Sequence, residues 1–539
     1  MSGIGRASVL IGAGTIASRL TGLIRTIVLV AAIGSVSSRA ADAFTIANQL
    51  PNNIYAIIST GILTAVIVPQ IVKASADPDG GRAFISKLFT LGTVILLITT
   101  AIAMVAAPWL VQLYGSRFTP EQLALSIAFA YWCLPQLFFY GLYALVGETL
   151  NARRVFGPYT WAPIVNNVVS IVGFGVFIAL FGSDLTRVDQ WDATMIAVLG
   201  GTATLGIVVQ AVLLLFFWKR TGVRLRPDFR WRGVGLRHIG RLAGWTFLMV
   251  VAGQLAGLVQ ANIVAGASGD GASVTVMANA WLIFMLPYSI IVLSIGTPYF
   301  TQLSEHAHAG RDDEVRGDVG RSIRTLGLFI VVATAAVAAA AVPASRIFTN
   351  SAEDAVTAAS VLLCFLVGLI PLAVLFVIQR TFYAYDDTRT PFFFTLLQCA
   401  LVVGTALAAG AAVQGGVIAL GQLAAAVALG QSFASLVQVI IATWLLQRRL
   451  GGLQIGSWTL ALGRFALAAI PAGLAGWLTF LLLGGSSGWT VADKWLGALG
   501  AAIIGGVVLV VYVAFLALLR APELSTATGL VRRFLPGKR

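Results

Sequence analysis

Long apolar runs separated by short charged segments recur from one end of the chain to the other, and this pattern constrains the fold more than anything else in the sequence. Only 10% of the 539 residues are charged and 58% are hydrophobic, where a soluble domain carries roughly a quarter charged residues. Lipid, not water, is therefore the solvent this composition suits. A membrane-crossing helix needs about 20 apolar residues. Runs of that size fall at roughly 9–33, 43–72, 88–113, 122–148, 159–181 and 193–218. They continue at roughly 242–266, 274–302, 325–345, 355–379, 391–413 and 417–446, with two more at about 459–483 and 495–519. The expectation is an all-α polytopic protein of 14 transmembrane helices. Barrel strands would alternate apolar and polar residues over about ten positions, and no such alternation is present.

The charges orient these spans. With the N-terminus inside, the segments on that side hold 27 Lys and Arg, including eight between Lys219 and Arg241. The opposite side holds only Arg39, Arg117, Arg187, Arg346 and Lys494. Positive residues accumulate on the cytoplasmic side of membrane proteins, so both termini are expected inside. The net charge of +14 thus marks one membrane face and does not point to nucleic acid. Arg19 and Arg25 interrupt the first apolar run, and no small-residue cleavage site follows it, so it is expected to be a retained span and not a signal peptide.

Three segments match others at offsets of 233 to 236 residues. Ser18 to Arg25 lies over Gly253 to Gln260, Leu50-Pro51 over Leu286-Pro287, and Arg154 to Pro158 over Asp387 to Pro391. The shared offset corresponds to six spans plus loops. It divides the chain into a first six-helix half (1–218), a basic linker (219–241) with an interfacial helix expected around Trp231, Val234 and Leu236, a second half (242–447), and helices 13 and 14 with a basic tail (448–539). An even number of spans per half makes the repeat parallel, and two such halves suit alternating access.

Arg19 and Arg25 are the residues least expected in a bilayer. Placing an arginine at mid-membrane costs about 2.5 to 3.5 kcal/mol on insertion scales, so such a residue faces a wet cavity or an acidic partner. Arg19 could pair with a carboxylate while Arg25 reaches an interface. The alternative, which the sequence favours, is an anion site, because planar guanidinium forks match phosphate oxygens. Gln254 and Gln260 occupy the repeat positions of the two arginines, so the same helix face stays polar in both halves. Asn52 and Tyr55 on the second span, with Asn48, Gln49, Asn53, Asn262 and Asn279, are further candidates for a polar wall. Asp42 opens the second span and suits either a helix cap or a gating or ion-coupling role. Glu148 lies close in sequence to Arg153 and Arg154, and either pairs with them or titrates in the cavity. Pro51, Pro69, Pro287 and Pro371 mark bends. The tryptophans near span ends, Trp191 and Trp458 among them, read as an interfacial belt.

Enzymatic and cofactor chemistry is not indicated. No phosphate-binding G-x-x-x-x-G-K-[ST] loop occurs. Cys133, Cys364 and Cys399 sit inside apolar runs, and three histidines are too few for a convincing metal site. The Asp312-Asp313-Glu314 and Asp386-Asp387 runs lie beside arginines and read as solvated faces. No repeated filter or ring of charge suggests a channel. A transporter remains.

The motifs Ser18-Arg19-x-x-Gly22-x-x-Arg25, Ala41-Asp42-Ala43-Phe44, Gln49-Leu50-Pro51-Asn52 and Val68-Pro69 resemble those of the MurJ (MviN) family of lipid II flippases, in the multidrug/oligosaccharidyl-lipid/polysaccharide exporter superfamily. The resemblance implies six plus six helices with two more at the C-terminus. It also implies export of an undecaprenyl-diphosphate-linked peptidoglycan precursor across the bacterial cytoplasmic membrane, with Arg19, Arg25 and Asp42 at matching positions and cell-wall synthesis proteins as possible partners. Family charges are replaced here by Thr26, Tyr55, Thr60 and Leu282, which leaves a less basic cavity. A drug or metabolite antiporter, another glycan exporter, and a scaffold acting through its basic loops are the competing readings.

Overall fold

The computed structural model describes residues 3–59, 81–153, 155–229 and 236–524. Thr60, Val68, Pro69, Arg154, Trp231, Val234 and the tail beyond Leu524 lie outside the described residues. Among the described residues the regular structure is helical, and twelve helices are long and apolar enough to cross a membrane. The first two helices, α1 (Gly3–Ile33) and α2 (Arg39–Ile58), stand outside those twelve, so the count among the described residues is close to the fourteen expected.

The chain divides into two compact units, Met1–Gly269 and Asp270–Arg539. In the first unit these two helices are followed by α3 (Arg82–Val105), α4 (Ala107–Gly115), α5 (Pro120–Cys133), α6 (Gln136–Ala152), α7 (Phe156–Phe181), α8 (Ala193–Phe216) and α9 (Leu236–Val264). Helix α1 packs along α7, α7 along α8, α2 against α5 and α6, and α9 against α4 and α2. The repeat boundary read from the sequence lies before α9, whereas compactness groups α9 with the helices that precede it. Leu236 falls in that long helix, and residues 222–229 have no regular secondary structure.

The first unit's core is apolar and aromatic. Phe44 meets Phe129 edge-on at 5.2 Å, and Trp191 meets Phe129 at 5.2 Å and stacks on Phe177 at 5.5 Å. Trp191 is therefore partly buried against the core, and Trp458 is buried in the second unit, so neither stands out at the surface as a belt residue would. Trp109, Trp477 and Trp495 are well exposed, as belt residues would be. The α1–α2 connection is tight. Gly34 takes φ 73°, a left-handed conformation that suits glycine, and Ser38 caps α2 by accepting from the Ala41 N–H while donating to Ile33 O at 2.6 Å.

In the second unit, α10 (Val274–Pro287) passes through a π turn at Tyr288–Leu293 into α11 (Ser294–His308). Pro287 lies at this break, because its missing N–H and ring disrupt the regular ladder. Then come α12 (Asp312–Ala339), α13 (Ala341–Arg346), α14 (Ala352–Leu366), α15 (Leu369–Ala384), α16 (Arg389–Gln414), α17 (Leu423–Arg449), α18 (Ile455–Leu482) and α19 (Lys494–Leu518). Helix α12 is central, packing on α18, α15, α19 and α11. The buried Tyr512 hydroxyl on α19 donates to Leu328 O at 3.0 Å. Arg346, read from sequence as an outer-loop cation, is buried. Its guanidinium donates to the carbonyls of Val491, Thr349 and Ala492 and pins the end of α13 to the turn before α19. Burial pulls its pKa below the ordinary guanidinium value.

Candidate functional site

Two groups of polar residues in the first unit contain the ionisable candidates Arg25 and Asp42. One surrounds Arg25, which projects half-buried from α1. Among the described residues it has no carboxylate partner and no hydrogen bond; its electrostatic neighbour is the Tyr140 hydroxyl on α6. The Tyr140 ring lies 5.9 Å from that of Tyr55 on α2. The Tyr140 hydroxyl donates to Gln136 Oε1 at 3.4 Å, and the Gln136 amide donates to Asn48 Oδ1 at 3.1 Å and to Thr204 Oγ1 at 3.0 Å. A cation thus lies beside a polar track that crosses α2, α6 and α8. Thr26, where the family resemblance leads one to expect an acidic residue, is buried and bonds back to Gly22 O at 3.1 Å. Arg25 therefore lacks the anion that would neutralise it from the next position.

The track continues toward Glu148. Its carboxylate accepts from the Tyr159 hydroxyl at 3.3 Å, and the Tyr143 and Tyr159 rings stack at 4.9 Å. Arg154, one of the two arginines expected near Glu148, lies outside the described residues, and the contact seen at the carboxylate is that of the Tyr159 hydroxyl. Both Arg153 and Glu148 lie at the α6 end, but the helix carries Glu148 around onto the face that α7 covers.

Arg19 is exposed on α1, without an ion pair among the described residues, and Asn52 is exposed on α2. Gln254 is half-buried and Gln260 buried on α9. Of the predicted binding residues, the structure brings Arg25 and Tyr55 together around Tyr140, a residue the sequence reading did not select. Its spacing from Gln136 at i, i+4 on one helical face was the available signal.

The second group surrounds Asp42. It does not cap α2, since Ser38 does; it lies one turn in and is fully buried. The Ser268 hydroxyl donates to Asp42 Oδ2 at 2.6 Å, and the Gln122 amide donates to Ser268 Oγ at 2.8 Å and to Arg39 O at 3.0 Å. One carboxylate thereby latches α2, α5 and the turn after α9. Next to it, a cleft of about 580 Å³ is lined by Arg39, Thr119, Glu121, Arg187 and Asp189.

The sequence profile of the family described as lipid II flippase MurJ matches residues 30–493, most of the chain. The chain belongs to the MurJ family. Relatives described as probable lipid II flippases include one from Rhizobium tropici, 26% identical over 98% of this chain and 96% of its own length. Another, from Haemophilus influenzae, is 26% identical over 70% of this chain and 75% of its own length. A solved structure of lipid II flippase MurJ in an inward closed conformation superposes with a TM-score of 0.70 at 19% identity, covering 93% of this chain and 98% of that one. An inward-facing multidrug resistance MATE family transporter of the MOP superfamily gives 0.62 at 17% identity, covering 80% and 94%. At these identities the structural likenesses establish the fold. As a MurJ family member the chain is a multi-pass membrane protein of a transporter family, and the Arg25 and Asp42 groups are two places in its first unit where polar chemistry is built into apolar surroundings.

Proposed function

We propose that this chain flips lipid II, an undecaprenyl-diphosphate-linked peptidoglycan precursor, from the inner to the outer leaflet of the bacterial cytoplasmic membrane by alternating access. Arg25 carries this reading. A guanidinium in an apolar run without a carboxylate among the described residues calls for a hydrated cavity, and such a cavity admits a mobile anion that neutralises it during the cycle. A diphosphate supplies that charge and matches the planar fork of donors. Tyr55 and Tyr140 offer aromatic faces and hydroxyls beside the cation, suited to the polar headgroup.

In this reading Arg19, Asn52, Gln254 and Gln260 contribute to the polar surface that the headgroup meets. Asp42 acts as the gate element, since breaking its contact with Ser268 frees the start of α2 from the end of α9. Both termini lie in the cytoplasm in this reading, which the uneven distribution of Lys and Arg supports. The two six-helix repeats (1–218 and 242–447) move against each other, with 448–539 appended. The test is rescue of cells depleted of their own flippase. Arg25→Gln should abolish rescue at wild-type protein levels, and Arg25→Lys should restore it only partly, because an ammonium keeps the charge and loses the fork. Full rescue by Arg25→Gln would remove the anion role.

A further inference from the structure

The second unit holds a cavity of about 320 Å³ that the transport reading does not use, lined by Tyr299 on α11, by Arg321, Arg324, Thr325, Leu328 and Phe329 on α12, and by Pro522 and Glu523 beyond α19. Its position on α12 is informative. Arg324 is the last charged residue before the apolar stretch Leu326–Ala339, so the cavity straddles the level at which lipid headgroups give way to acyl chains. The polar wall is at the charged end of the helix, and Leu328 and Phe329 lie one turn further into the membrane.

The charges of that wall do not cancel. Arg321 Nη2 is held by Asp318 Oδ1 at 2.5 Å, and the buried Asp318 also meets His306 Nδ1 at 2.6 Å. Glu523 is opposed by Arg464 at 3.5 Å. Arg324, three residues from Arg321 and on the same side of the helix, has no ion pair or hydrogen bond among the described residues. The stretch 525–539 that follows contains no Asp or Glu to supply one. One uncompensated guanidinium therefore faces the cavity, with a second guanidinium, only part of its fork engaged, beside it. The Tyr299 hydroxyl, 3.2 Å from Thr325 Oγ1, adds a polar group.

We propose that this cavity binds the phosphodiester headgroup of an anionic membrane phospholipid, with Arg324 and Arg321 on the phosphate oxygens and an acyl chain along Leu328 and Phe329. A singly charged phosphodiester fits the single uncompensated cation, and the apolar lining distinguishes a lipid from free phosphate. Because α12 packs on α18, α19, α15 and α11, an occupant here would brace the central helix of the unit.

The test is native mass spectrometry of the purified full chain in mixed micelles containing either phosphatidylglycerol or phosphatidylcholine, with a third arm adding millimolar inorganic phosphate. The wild type should retain phosphatidylglycerol in preference to phosphatidylcholine, and phosphate should not displace it. Arg324→Gln should lower retention about tenfold, the loss expected for one charge-assisted contact, and Arg324→Lys should keep most of it. Equal retention of the two lipids, unchanged retention in Arg324→Gln, or displacement by phosphate would each overturn the proposal. Should the glutamine variant fail to fold, the two-lipid comparison on the wild type and on Arg324→Lys still decides. Transport is read through Arg25, so failure here leaves that reading intact.

Discussion

At the scale of single residues, the two polar groups of the first unit differ in how completely they are satisfied. Asp42 is buried with a short hydrogen bond from Ser268, and Ser268 in turn receives the Gln122 amide. Removing either partner leaves a buried polar group short of a bond, which costs about 1–3 kcal/mol. A double-mutant cycle of Asp42→Ala and Ser268→Ala, followed by thermal unfolding in detergent, should therefore show non-additivity of about 0.5–3 kcal/mol. Strict additivity would mean that the contact does not hold the two segments together. Arg25 is the opposite case, a cation whose partners in the described protein are neutral. The sequence revealed Arg25 because charge in an apolar run stands out. It did not reveal Tyr140, since a tyrosine on an apolar helix carries no such contrast, nor the buried Asp318, which sits in a stretch of charges that reads as solvated.

At the scale of elements, the helices were legible because a hydrophobic run long enough to span a bilayer has few alternatives. Their ends and breaks were less so. The expected cap at Asp42 falls one turn inside α2, because the chain leaves the tight Gly34 turn early and Ser38 reaches the Ala41 N–H first. Arg346 shows the same gap between pattern and packing. Counting it as an outer cation was reasonable from the charge distribution, yet it folds inward to satisfy three carbonyls where α13 ends. Hydrogen bonds from a charged donor contribute about 1.5–3 kcal/mol. Arg346→Ala should consequently lower the unfolding midpoint of the purified protein well beyond what an exposed arginine substitution does. Arg346→Lys should recover little, because one ammonium cannot span three acceptors in the geometry of a fork. A midpoint unchanged in both variants would show that these carbonyls find other partners at no cost.

At the scale of the whole molecule, the number of spans and their proposed orientation came from two independent properties, apolar length and the placement of Lys and Arg, which is why they reinforce each other. The orientation makes its own prediction. In intact cells a membrane-impermeant maleimide should label Arg187→Cys, in an exposed loop that the proposed orientation puts outside, and should reach Arg224→Cys only after permeabilisation. The native cysteines give little background, since Cys133 and Cys399 are buried and Cys364 is only half-exposed. Reversed labelling would invert the direction of transport proposed above. What the sequence could not supply at this scale was the grouping of α9 with the helices before it, because a repeat records ancestry in the order of residues while compactness records contacts.

The central claim is that the half-buried guanidinium of Arg25 on α1 exists to hold a phosphorylated lipid headgroup. Native mass spectrometry of the protein purified from bacterial membranes, comparing wild type with Arg25→Gln at equal folding, addresses it most directly. The account predicts that the wild type carries a polyprenyl-diphosphate species that the variant has lost. The same species retained at the same occupancy by Arg25→Gln would contradict it.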